Sequence, residues 1–423
     1  MWPFKNISQI IKQFNLTSVV KNLFSLSVIQ SVNYILPLIT TPYIARVIGL
    51  EKYGIIAFAL ALCQYFVVLT NYGFNLTATR NISKNRTDLD KLSSIFSRVM
   101  YSKILLFLLS LFIFFPIIFI IPTFRSNWIL YLFSFIVVLD NVIYPQWFFQ
   151  GIEKMKYLTY FKLTASSLYV IAIFVFIREQ SHYIYIPLFR GGCLLISGIA
   201  SLFVISIKYK IRLLYTSFSQ IKDEITGGRY VFLNQLLPQL YNNSSTFLLG
   251  IFAPASSVGL YSAAQKVIDI GIPFLRILTT SFFPHLSNSL ENFKLWKKIA
   301  VISSLFIAIM YLIFGKLIFI ILFTPEFYEG VNLTYILSIG IIFLGFYQCY
   351  GTNYLIIIGK DKDLMQNTMV VSILGLATAF IFVYFLHAYG AAINVTLVRG
   401  FMALGAYYIY TKNKIVNVNQ FIM

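Results

Sequence analysis

Apolar residues in this chain arrive in long unbroken runs separated by short polar segments, with little of the strict alternation that half-buried strands show. A bilayer span needs about 20 such residues. Twelve runs qualify, at residues 22–44, 55–72, 99–121, 127–149, 158–177, 183–207, 230–252, 259–282, 299–323, 331–357, 366–385 and 390–410. The pattern predicts an all-α polytopic membrane protein. The first run follows Lys5, Lys12 and Lys21 as a signal peptide would. Gln30, Ser31 and Asn33 interrupt it, however, and it is too long for a signal segment, so it reads as a retained helix.

Composition reinforces this. Of 423 residues, 59% are hydrophobic and 11% charged, where soluble proteins carry about a quarter charged. Aromatics reach 18%, which suits membrane helices and their interfacial belts. The cations test the segmentation. With the N-terminus placed in the cytoplasm and sides alternating, 24 of the 33 Lys and Arg fall in cytoplasmic segments, Lys103 and Lys162 among them. Only Arg46, Lys52, Arg125 and Arg178 fall outside. The positive-inside rule then predicts twelve helices with both termini cytoplasmic. The net charge of +19 therefore implies an anionic membrane leaflet as partner, not nucleic acid. Inner loops 80–98 and 208–229 mix apolar residues with Lys and Arg and read as interfacial amphipathic helices.

Soluble-enzyme chemistry finds no foothold. Cys63, Cys193 and Cys349 are scattered, as are His182, His285 and His387, which is neither a disulfide framework nor a metal pattern. No phosphate loop, HExxH or GxSxG occurs. The outer loops, such as 253–258 and 386–389, leave no room for an outer catalytic domain. No enzyme activity, metal or cofactor is expected; whether a coupling ion, H+ or Na+, takes part is left open.

The chain also reads as a repeat. Residues 46–61 (RVIGLEKYGIIAFALA) and 250–265 (GIFAPASSVGLYSAAQ) align on Gly54 and Gly259, 205 residues apart. Each places a small loop, a glycine and a span opening with small residues after the first helix of its half. Amides recur in those first helices: Gln30 and Asn33, then Gln235, Gln239 and Asn242. We expect six-helix lobes at 1–207 and 230–423, a cytoplasmic linker at 208–229, and a central cavity, as in transporters built from repeats.

Charges inside the spans are the candidate site. On a helix, Asp269 lies about 300° and Arg276 about 280° around from Lys266, so all three share one sector. A charge at the bilayer centre costs at least ~2.5–3.5 kcal/mol on insertion scales, so such a stripe should face water or protein rather than lipid. Arg190, Arg399 and Asp140 also lie within spans. Arg276, Arg399, Lys266 and Arg190 are candidates for cavity lining or substrate binding. Asp140 and Asp269 would tune them or carry a coupling proton, and the five amides would line the cavity. Structural ion pairs and helix–helix hydrogen bonds are the plainer reading of each.

Residues 30–83, with LPLITTPYIARVIG, the Tyr53–Gly54 pair and YGFNLTATR at 72–80, resemble the start of Wzx-type oligosaccharide-lipid flippases of the multidrug/oligosaccharidyl-lipid/polysaccharide exporter superfamily. VLDNVIYPQWFFQGIEKMKY at 138–157 resembles that family's fourth-span motif. The resemblance implies translocation of undecaprenyl-pyrophosphate-linked oligosaccharides across the bacterial cytoplasmic membrane by alternating access, for O-antigen or capsule. It also implies partnership with a polysaccharide polymerase and a chain-length regulator. The rival readings are a multidrug/cation antiporter of the same superfamily, a membrane enzyme of polysaccharide assembly, and a non-transporting scaffold.

Overall fold

A computed structural model describes residues 16–288, 290 and 293–420, with side chains at 36, 39–233, 235–239, 243–283, 286–287, 290 and 293–413. Every regular element among them is helical. In chain order these are α1 (Leu16–Asn71), a short α2 (Phe74–Lys84), α3 (Leu89–Ile120), α4 (Trp128–Ile143), a short α5 (Gln146–Gly151), α6 (Met155–Phe176) and α7 (Tyr185–Tyr209). Then come α8 (Phe218–Phe252), α9 (Ala255–Asn288), α10 (Phe293–Leu322), α11 (Gly330–Tyr347) and α12 (Asp361–Gln420). A π-helical stretch, Gln348–Leu355, extends α11. Eight stretches among the described residues are long and apolar enough to cross a membrane.

Two junctions predicted as loops are sharp breaks within otherwise continuous helices. α1 breaks at Gly49 (φ 74°, ψ 175°), a conformation open to glycine because it lacks Cβ. α12 breaks at His387 (φ 48°, ψ −125°). Of the segment expected to be an interfacial helix at 208–229, residues 208–209 close α7, residues 210–217 have no regular structure, and helix resumes at Phe218. Two serines one turn apart on α3 hold that stretch. Ser93 Oγ accepts the Arg212 amide at 3.2 Å, and Ser97 Oγ accepts the Leu214 amide at 2.8 Å.

The helices are inside out by the standards of a soluble bundle. On α10, Ser304, Ala308, Tyr311 and Gly315 are buried. Ile302, Phe306, Ile309, Ile313, Leu317 and Ile320 are exposed at spacings of three and four. Water would tolerate no such stripe, whereas lipid solvates it, and small residues inside let helix backbones approach. Buried hydroxyls bond within their own helix, as Ser110 does to Leu106 O and Ser134 to Leu130 O, both four residues back.

The chain forms two compact units. The first holds the described residues to Thr41, Phe66–Arg178 and Ile184–Phe232. Within it the two family-like motifs meet. Trp147, Phe148 and Phe149 of α5 are fully buried, and Thr79 Oγ1 of α2 donates to Trp147 O at 3.2 Å. Arg86 donates to Gly151 O at 2.8 Å and pairs with Glu153 at 2.7 Å. A Cβ at Gly151 would strike Ile82. This group of motif residues therefore fastens the short helices together.

The second unit holds Pro42–Tyr65, Glu179–Tyr183 and the described residues from Leu233 on. Here α1 beyond Pro42 packs on α9. A Cβ at Gly54 would strike the Ala255 carbonyl, and one at Gly259 would sit 2.5 Å from Leu50 O. The two glycines that align the sequence repeat thus lie against one another. The Leu50 amide, just past the Gly49 break, donates to Glu326 Oε2 at 3.3 Å.

Candidate functional site

In the second unit the stripe on α9 forms as expected. Val267, Ile268 and Leu275 face inward at 0–2% exposure, while Lys266, Asp269 and Arg276 share the exposed side. Asp269 interacts electrostatically with Lys266, with Arg399 of α12 and with Arg276. The fourth candidate therefore joins the first three, although it is 123 residues further along than Arg276. Arg399 is seated by a glycine. A Cβ at Gly340 of α11 would lie 3.2 Å from Arg399 Cδ and 3.3 Å from its Nη1. Arg399 Nη1 is buried and has no hydrogen-bond partner among the described residues. An orphaned guanidinium donor is costly to keep, because burial removes its water without replacing it.

Further polar groups lie on α9 itself, on α10 and in the π-helical stretch. Tyr261, fully buried, lies within electrostatic reach of Arg399 and Asp269. Gln265 Nε2 donates to the Tyr261 hydroxyl at 2.9 Å. Tyr311 of α10 donates to Val267 O at 2.8 Å. One turn beyond Arg276, Thr279 donates to Gln348 Oε1 at 2.7 Å, and Asn353 Nδ2 donates to Thr279 O at 2.9 Å. Both partners lie in the π-helical stretch, a distortion often found at functional sites.

In the first unit a second cluster gathers about Asp140 of α4. Asp140 interacts with Lys162 of α6 and Lys103 of α3, and Lys162 interacts in turn with Arg190 of α7. Lys103 is 1% exposed, and its ammonium donates to Asn141 O at 2.7 Å. Two glycines of α7 allow the approach. A Cβ at Gly191 would meet Ile136 at 2.7 Å, and one at Gly198 would lie 3.4 Å from Asp140 Oδ1.

Lys103 and Lys162 are corrections to the sequence reading, which counted both among cytoplasmic flanks. Each lies inside a helix that starts earlier than its apolar run: α3 begins at Leu89 and α6 at Met155. The available signal was polar spacing on α3, where Ser93, Ser97 and Lys103 are all buried. Of the amides, Gln235 and Gln239 on α8 are half-buried, and the side chains of Gln30, Asn33 and Asn242 lie outside the described residues. The neighbouring Asn243 donates to Ala61 O at 3.4 Å. Among the described residues no His, Cys, Asp and Glu group could hold a metal ion.

The architecture is all-helical among the described residues, with helices long and apolar enough to cross a membrane. The fold matches an inward-facing multidrug-resistance MATE family transporter of the MOP superfamily, with TM-score 0.70 at 15% identity, covering 94% of this chain and 99% of that one. It matches the lipid II flippase MurJ, in an inward closed conformation, with TM-score 0.69 at 13% identity, covering 93% and 87%. In sequence, residues 19–290 match the family described as polysaccharide biosynthesis protein, and the chain belongs to it. It is 31% identical over 277 residues to an Escherichia coli (strain K12) protein named "Putative O-antigen transporter", spanning 65% of this chain and 66% of that one. A Shigella dysenteriae protein of the same name is 24% identical over 386 residues, spanning 89% and 96%.

Proposed function

We propose that the protein is a flippase that moves undecaprenyl-pyrophosphate-linked oligosaccharide units from the inner to the outer leaflet of the bacterial cytoplasmic membrane, supplying a surface polysaccharide. Family membership and O-antigen transporter relatives support a polysaccharide-precursor cargo. The observation that carries the chemical reading is the orphaned Nη1 of Arg399 in a cluster of three cations and one carboxylate. Moving bare pyrophosphate charge into hydrocarbon would cost tens of kcal/mol by Born estimates. Guanidinium forks replace the lost water, binding phosphate oxygens in pairs. Arg276, Arg399 and Lys266 make this contact, and Arg190 serves the same role in the first unit. Asp140 and Asp269 hold the cations in place or carry a coupling proton. Lobes at 1–207 and 230–423 would alternate access, with both termini cytoplasmic.

The test is surface glycan display in cells lacking the native protein. Arg399→Ala should lower it about 10- to 100-fold, the range expected for losing a charge-assisted hydrogen bond, with membrane insertion unchanged. Arg399→Lys should restore part of it, since charge returns without the planar fork. Undiminished display in both Arg399→Ala and Arg276→Ala would remove the assignment.

A further inference from the structure

The first unit carries a second basic group, separate from the Asp140 cluster. Lys156, in the first turn of α6, and Lys208, in the last turn of α7, converge on one ring. Their ammonium groups lie 5.5 and 5.4 Å from the Tyr157 centroid. Lys208 and Lys156 both lie within electrostatic reach of the Tyr157 phenol, beside the Tyr209 ring. The platform is rigid, for Tyr157 stacks on fully buried Phe149 at 5.4 Å and packs edge-on against Tyr209 at 6.2 Å.

This group lacks a counter-charge. Among the described residues no carboxylate lies within 4.0 Å of either ammonium, and the nearby Glu153 is paired with Arg86. Lys154 and Lys210 add positive charge in the same segments. A cation in a helix's first turn opposes the helix dipole, so Lys156 gains nothing from its own helix. An external anion would relieve both conditions.

The adjoining surface says what kind of anion. Ile196, Ile199, Phe203 and Ile207 form an exposed stripe along α7 that ends beside Lys208. On α6, Tyr160 is exposed one turn beyond Lys156. Apolar chain surface leading to paired ammonium groups is the outline of one amphiphile: a phosphate headgroup with acyl tails. The second unit offers a contrast. There Lys297 lies 5.9 Å from the ring of Tyr350, a residue 2% exposed within an aromatic cluster, and among the described residues no second ammonium joins that ring.

We propose that Lys156, Lys208 and the Tyr157–Tyr209 pair form a binding site for one anionic phospholipid headgroup, with its acyl chains along the α7 stripe. The site is separate from the cargo-binding clusters and stands whether or not the cargo assignment does.

The test is native mass spectrometry of the full chain in detergent, titrated with phosphatidylglycerol or phosphatidylethanolamine. The wild-type chain should retain the anionic lipid preferentially. A basic residue near an anionic surface is worth about a fivefold change in binding. Lys156→Gln or Lys208→Gln should each weaken phosphatidylglycerol retention about fivefold, and the double variant on the order of 25-fold. Phosphatidylethanolamine should be unaffected, as should a Lys294→Gln/Lys298→Gln control. Both target lysines are exposed, so the fold should survive; Tyr157→Phe, which keeps the ring and removes the phenol, gives a second and milder arm. Equal retention of the two lipids by the wild-type chain would overturn the proposal without any variant. So would unchanged phosphatidylglycerol binding in the double variant. A double variant that loses polyprenyl pyrophosphate but keeps phosphatidylglycerol would reassign the site to cargo.

Discussion

The Asp140 and Asp269 clusters have the same inventory, three cations to one carboxylate, and spend it differently. In the first unit Lys103 is almost completely enclosed and its ammonium is committed to the Asn141 carbonyl. In the second, Lys266, Asp269 and Arg276 lie along an exposed helix face, while Arg399 holds a buried donor with no partner among the described residues. A group already satisfied by its own protein contributes to the fold. One kept unsatisfied has donor capacity left for a ligand. The contrast predicts that removing the Lys103 charge is felt mainly as stability and removing the Arg399 charge mainly as transport.

The largest effect that can break this contrast is the Arg399→Ala loss of surface glycan described above. An Arg399→Ala variant that keeps transport but has a clearly lower unfolding temperature would reverse the roles of the two clusters. Next comes Lys103→Met. It leaves the Asn141 carbonyl without its donor and should destabilise by about 1–3 kcal/mol, read as a lower unfolding temperature in detergent. Asp140→Asn added to it should recover part of the loss, because the carboxylate then no longer lacks its cation. Absence of coupling between the two would separate them into independent contacts.

Gly340→Ala sharpens the second half of the comparison. The added methyl would meet Arg399 at 3.2–3.3 Å, so the guanidinium must shift by a few tenths of an ångström. Transport should fall severalfold with little loss of stability, since a flexible side chain yields more readily than backbone. Gly340→Ala with full activity would mean that the exact seat of Arg399 is unimportant.

The smallest effect lies outside both clusters. Asp88 caps α3 by accepting the Lys91 amide at 3.0 Å, and that bond, with the Lys91 ammonium, holds its carboxyl below the ordinary value. A carboxyl lowered in the folded state stabilises above its unfolded value of about 3.9 and loses that contribution as pH falls through the folded one. The cap should therefore hold at pH 7 and at pH 5 and fail only in stronger acid. Amide exchange at the start of α3 would read this out, and Asp88→Asn should remove the pH dependence while keeping an acceptor.

The sequence carried the membrane helices and the α9 stripe because both depend on local spacing. Hydropathy marks a span wherever it folds, and a 100° turn brings Lys266, Asp269 and Arg276 together without tertiary information. Arg399 was legible as an anomaly, but its place beside Asp269 depends on how α12 crosses α11 at Gly340. Lys103 and Lys162 were misread for a physical reason. Their helices start before the apolar runs do, at Leu89 and Met155, so counting cations by side treated a buried Lys103 and a half-buried Lys162 as flanking residues. The junction at 386–389 was legible, but its form as a single-residue break at His387 was not, since that backbone is one that histidine seldom adopts.

The contact between Gly54 and Gly259 has a consequence for motion. Two helices that meet there through bare backbone have no interlocking rotamers to disengage, so sliding or parting costs little beyond dispersion. The same absence means that nothing but close approach keeps them together. Any residue larger than hydrogen acts as a wedge, driven from Gly54 into the Ala255 carbonyl and from Gly259 into Leu50, each beside the glycine with which the sequence alignment pairs it.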